Sequence, residues 1–126
     1  MKQYVLGLAL LIVPLVALPT SHANAQSQAE MNRQAAKDFE KVDAELNSAY
    51  AALMAKLPDA ESKQKLKESQ RAWLAFRDAE AAFQADGERG GSMALLIYST
   101  TASELTQAHI QALRKQLSSE QHAKKQ

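Results

Sequence analysis

The sequence predicts an all-α protein, an elongated antiparallel three-helix bundle that follows a cleaved signal peptide. Three observations point there. Beyond residue 25 the chain holds twenty alanines, the best helix formers, while Val42, Ile97 and Ile110 are its only β-branched apolar residues. Apolar residues recur at helical spacing over long stretches. Beyond residue 25, helix breakers gather at only two places, Pro58 and the run Asp86-Gly87-Glu88-Arg89-Gly90-Gly91.

Residues 1–25 have the layout of an export signal. Lys2 supplies a positive start, Tyr4 to Leu18 is apolar, and Ala23-Asn24-Ala25 offers an A-x-A cleavage pattern. The apolar run falls short of the roughly 20 residues that cross a bilayer. Nothing later is apolar enough to act as a membrane anchor. The expectation is a soluble protein of the periplasm or the medium.

The whole chain carries 15 basic and 14 acidic residues. Lys2 is the only charge within residues 1–25, so the remainder is neutral when histidine is uncharged. That leaves no basic excess to hold nucleic acid or an anionic membrane surface. The chain has no cysteine. This excludes a thiol nucleophile, a cysteine-ligated metal and a lipidated cysteine, and it removes the disulfides that usually support small exported domains.

The first helix is expected to start at Ser27, because Ser27-Gln28-Ala29-Glu30 fits a capping box. Its stripe runs Met31, Ala35, Phe39, Val42, Leu46, Tyr50, Leu53 and Leu57. Steps of three and four keep that stripe on one face of a nearly straight helix. Pro58 ends it, and Asp59 can cap the next helix. The second helix spans about Ala60 to Ala85, with Leu66, Trp73, Phe76 and Phe83 expected inside. Ser92 is expected to cap a third helix carrying Leu95, Tyr98, Ala102, Leu105, Ala112 and Leu113. Residues 26–117 form the domain, and 118–126 are expected to be a frayed polar tail.

At roughly 100° per residue, Asn32, Asp43 and Asn47 fall beside the apolar stripe of the first helix, and Gln70 and Arg77 fall beside Trp73 on the second. A polar seam that sets helix register follows. Arg77 pairs with Asp43 and bonds Asn47 or Gln70, since a buried guanidinium needs such partners. The competing reading is a ligand pocket around Trp73 and Arg77. Asp78 points outward in this scheme, as a solvated charge or a partner contact.

No catalytic constellation is visible. His109 and His122 are too far apart for an i, i+4 metal pair, the carboxylates are interspersed with lysines, and Ser92 lacks a base partner. The expectation is no enzyme, no cofactor and no metal. The loop Gly87-Glu88-Arg89-Gly90-Gly91-Ser92 admits two readings. The glycines let the chain reverse between helices, and the same loop presents Arg89 at one end of a rod, where a guanidinium suits carboxylate recognition.

Met31-Asn32, the segment Asp43-Ala44-Glu45-Leu46-Asn47-Ser48-Ala49-Tyr50, the motif Gln70-Arg71-Ala72-Trp73-Leu74-Ala75-Phe76-Arg77-Asp78, then Gly90-Gly91-Ser92 and Leu105-Thr106 follow one another in order. Together they resemble the lysozyme inhibitor LprI-like domain family, over about residues 27–117. The chain departs from that pattern where Gln34, Ala81 and Thr101 stand in place of cysteines usual in the family, and where His109 replaces a common arginine. Each absent disulfide forgoes about 2–4 kcal/mol, which packing must offset.

The resemblance implies an exported helical domain, some of whose relatives inhibit lysozyme. An inhibitor would block the cleft in which two carboxylates cleave the glycan. The residues expected to make that contact are Arg89, Gly90, Gly91 and Asp78, with lysozyme as the protein partner. The alternative is a helical interaction or immunity module of the cell envelope, without effect on lysozyme.

Overall fold

A computed structural model describes residues 21–123. Three helices follow in order: α1, Ser21–Lys56; α2, Ala60–Ala85; and α3, Ala94–Ala123. A short 3₁₀ turn, Asp86–Glu88, precedes the glycines between α2 and α3. Most of the expected export signal lies outside the described residues. Its expected cleavage site, Ala23-Asn24-Ala25, lies within α1.

The first junction follows its sequence. Asp59 is extended (φ −142°, ψ 169°), and its carboxylate accepts from the Ser62 backbone N–H at 2.7 Å. That bond holds the Asp59 carboxyl below its ordinary range. The two helix-start expectations at Ser27 and Ser92 do not hold. Ser27 lies inside α1, because nothing between Ser21 and Ala29 breaks a helix and three alanines favour one. Ser92 stands two residues before α3 and contributes its backbone carbonyl, which accepts from Asn32 Nδ2 at 2.9 Å. Of the expected polar tail, residues 118–123 continue α3, and 124–126 lie outside the described residues. Ser118 and Ser119 there donate to carbonyls one turn back.

The helices run up, down and up. Asn32 meets Ser92, and Phe39 meets Tyr98 with ring centroids 6.5 Å apart, so α1 and α3 are parallel neighbours with a sequence offset of about sixty. Asp43 meets Arg77, and Gln70 meets His109, which makes α2 antiparallel to both. The core proper is Val42, Leu46, Ala49, Leu53, Ile110 and Leu113, with Tyr50, Leu57, Leu66, Trp73, Leu74 and Leu117 packed against it. Toward the glycine loop, the buried positions are small: Ala81, Ala85, Ser99 and Ala102. The core therefore thins from large aliphatics near Pro58 to alanines near the loop.

Two expectations about α2 are corrected. Phe76 and Phe83 face solvent, at 53% and 72% exposure. The buried positions of α2 are Gln70, Arg77, Ala81 and Ala85, an arc centred roughly 70° from Trp73 on the helical wheel. Trp73 marks the edge of the buried arc, and the phenylalanines lie beyond that edge. On α3, Leu95 and Ala112 are likewise exposed, while Thr106 and Ile110 are buried.

Candidate functional site

Two places hold the residues singled out by sequence. The first is a stack that crosses all three helices. Arg77 is buried, and its guanidinium carbon sits 5.0 Å from the Phe39 ring centroid and 5.6 Å from that of Trp73. Its Nη1 donates to Asp43 Oδ1 at 2.7 Å, and its Nε donates to Asp78 Oδ1 at 2.8 Å. Burial works against the charge, yet the hydrogen bonds to Asp43 and Asp78 outweigh it and hold the Arg77 pKa above its ordinary value. This is a charge that stays on.

The other face of Trp73 carries His109, nearly parallel at 7° with centroids 4.0 Å apart. His109 Nε2 donates to Gln70 Oε1 at 2.8 Å. Burial lowers the His109 pKa below its ordinary 6.5, so the ring is neutral at pH 7. Phe39, Arg77, Trp73 and His109 thus form a column whose polar atoms are bonded by flanking side chains: Asp43 and Asp78 for Arg77, and Gln70 for His109. Arg77 is bound to carboxylates on two sides and to rings on two others. The column joins side chains of all three helices: Phe39 of α1, Trp73 and Arg77 of α2, and His109 of α3.

The expected seam is therefore partly re-drawn. Asp43 pairs with Arg77 as expected. Gln70 serves His109 instead of Arg77, and Asn47 is exposed. Asn32 ties α1 to the glycine loop, supported by Gln28, whose amide donates to Asn32 Oδ1 at 3.0 Å. Asp78 does not point away. Its carboxylate folds back onto Arg77, although half of the side chain remains exposed. His109 is the member that sequence reasoning missed, because its partners lie on another helix at a separation that no local pattern reveals.

The second place is the loop end. Arg89 is 79% exposed along its side chain, and its Nε and Nη2 donate to the two oxygens of Asp86 at 2.9 and 2.7 Å. The guanidinium thus stands in solvent with Asp86 as its partner. Gly90 has φ 77°, a conformation that side chains resist. At Gly91 a Cβ would lie 3.1 Å from the Glu88 carbonyl oxygen, a tight contact that would make the neighbour shift by a few tenths of an ångström. Exposed Met31, Phe83, Met93 and Leu95 stand at the same end of the bundle. Asp78 is not brought there; it lies more than two helical turns down α2 from the loop.

Comparison with known families decides what kind of chain this is. Residues 20–113 match the family described as lysozyme inhibitor LprI. The chain belongs to that family. A curated relative, an uncharacterized protein of Rhizobium meliloti (strain 1021), is 30% identical over 122 residues, covering 79% of this chain and 88% of that protein. No solved structure matches the chain. Within this LprI family member, the resemblance motif of residues 70–78 supplies two members of the central column, Trp73 and Arg77, together with Gln70, which accepts from His109, and the flanking carboxylate of Asp78. Gln70, Trp73, Leu74 and Arg77 of that motif are buried or half-buried, and its other five residues are exposed. Ala81, one of the positions where cysteine is usual, is fully buried. Among the described residues no helix is long and apolar enough to cross a membrane.

Proposed function

We propose that this chain is an exported lysozyme inhibitor that works by protein contact, with the Arg89 loop entering the glycan-cleaving cleft. Family membership supplies the class of activity. The observation that carries the mode of contact is the loop end itself. A guanidinium stands forward on a glycine turn braced by Asp86 and Asn32, beside exposed apolar side chains that the fold does not use.

The chemistry suits the target. A lysozyme cleft presents two carboxylates, and a guanidinium binds a carboxylate through two parallel hydrogen bonds. Asp86 already occupies those donors. It holds the side chain ready at the cost of competing with the target, so binding exchanges one carboxylate for another. Phe83 and Met93 would then bury apolar surface around the exchanged pair, as aromatic anchors do at protein interfaces.

A lysis assay tests the reading. Suspended cell walls are treated with lysozymes of several classes, and the fall in turbidity is followed with increasing amounts of the protein. Slowed lysis by at least one class at micromolar protein is expected. If every class is unaffected while a stable envelope partner is recovered by pull-down, the interaction-module reading replaces this one.

A further inference from the structure

Phe76 and Phe83 are two of the chain's three phenylalanines, and the fold buries neither. At roughly 100° per residue they share an arc of about 100° on the outer side of α2 with Ala72, Ala75 and Ala79. All five residues are exposed. No charged residue falls on that arc between positions 72 and 83. Glu80 borders it, with its carboxylate taken by the Gln84 amide at 2.8 Å. At roughly 1.5 Å per residue the apolar strip is about 17 Å long.

The two ends of the strip differ. Toward Pro58 the same arc turns charged, with Glu61, Lys65 and Glu68. Lys65 donates to Glu61 at 2.7 Å and Gln64 to Glu68 at 2.8 Å, so these charges are engaged within α2 itself. At the other end the Phe83 carbonyl accepts from the Asp86 backbone N–H, and the Asp86 carboxylate holds Arg89. The strip runs into the glycine loop without a break.

The loop by itself makes a small contact. Exchanging Asp86 for a cleft carboxylate trades one pair of hydrogen bonds for another, so it places the loop more than it tightens the complex. Removing Arg89 still costs affinity, because a cleft carboxylate is left unpaired. A stable interface covers about 800 Å² on each partner, more than a glycine turn offers. The rest must come from surface that adjoins the loop and tolerates an acidic cleft. The groove between α1 and α3 is poorly suited, since Asp38, Glu45 and Glu104 line it against one lysine, Lys41. Like charges brought face to face oppose binding. The α2 strip carries no such charge.

We infer that the protein enters the lysozyme cleft leaning on α2, with Phe83 and Phe76 laid along the cleft wall and the α1–α3 groove turned to solvent. This orientation rests on the reading of the Arg89 loop as the inhibitory contact, and it extends that contact about two helical turns down α2.

Wall-lysis inhibition and calorimetric binding to the inhibited lysozyme test the orientation, using protein expressed from its full sequence. Phe83→Ala should weaken binding by at least about tenfold, a change of roughly 1.4 kcal/mol. Phe76→Ala should weaken it by a smaller factor. Ala79→Glu puts a carboxylate between the rings and should weaken binding at least as much as Phe83→Ala, whereas Ala79→Gln should do less. Gln107→Trp, in the α1–α3 groove, should bind as the parent does. All four positions are exposed, so the thermal melts should match. An effect at Phe83 with none at Phe76 or Ala79 describes an end-on loop contact and overturns the orientation alone, as does loss of binding in Gln107→Trp. A parent protein that inhibits no lysozyme removes the underlying reading and the orientation together.

Discussion

Arg77 and Arg89 are twelve residues apart, and each is held by an aspartate through short hydrogen bonds. One is buried between two aromatic rings and two carboxylates on different helices; the other is exposed and bound only to its own loop. The same ion pair therefore does opposite things. At Arg77 it links distant segments in a partly dry site, so losing it should cost stability. At Arg89 water and salt screen the pair, which adds little to stability and leaves the guanidinium open to exchange.

The largest expected effect breaks the buried member. Arg77→Ala should destabilise by about 3 kcal/mol, the low end for removing one partner of a buried pair, because Asp43 and Asp78 keep contact with water. For a domain of this size that lowers Tm by roughly 10 °C or more, measurable by circular dichroism. Arg77→Lys should recover only part of the loss, since an ammonium cannot span two carboxylates and stack on both rings.

Next in size is Gly90→Ala, which forces a side chain into positive φ and should cost about 1 kcal/mol. It should also misplace Arg89, so inhibition should fall more than stability does.

His109 gives a smaller, pH-dependent effect. Its folded pKa lies below 6.5 because of burial. Above pH 6.5 the ring is neutral whether the chain is folded or not, and it places no penalty on folding. As pH drops below 6.5 the unfolded chain takes up the proton first, so stability declines until the folded ring also protonates. Urea melts at pH 7.5 and 5 should show a larger drop for the parent than for His109→Gln. An equal drop would detach His109 from the pH dependence. Smallest is Arg89→Ala, expected to change stability by no more than about 0.5 kcal/mol.

The contrast between the two arginines was half visible in the sequence. Helical angles place Arg77 near Asp43, because both are fixed by the spacing of neighbours on regular helices. The turn at Pro58 and the cap at Asp59 are local features and can be read directly. The rest needed tertiary information. Taking Trp73 as the centre of the inner face of α2 put Phe76 and Phe83 inside, whereas that face is built around Arg77 and Ala81. The stack of His109 on Trp73 joins two helices, and the brace of Arg89 by Asp86 depends on a 3₁₀ turn that composition does not specify. Within the family motif, Gln70 and Arg77 are buried while Arg71 and Asp78 stay exposed, a division that needs the tertiary fold to see.

The most direct test measures lysozyme-driven wall lysis in the presence of the parent protein and of Arg89→Ala, with a thermal melt run on each sample. The account predicts unchanged melts and at least about tenfold weaker inhibition by the variant, the scale of an interface anchor. Inhibition by Arg89→Ala equal to that of the parent would contradict it and move the contact surface away from the glycine loop.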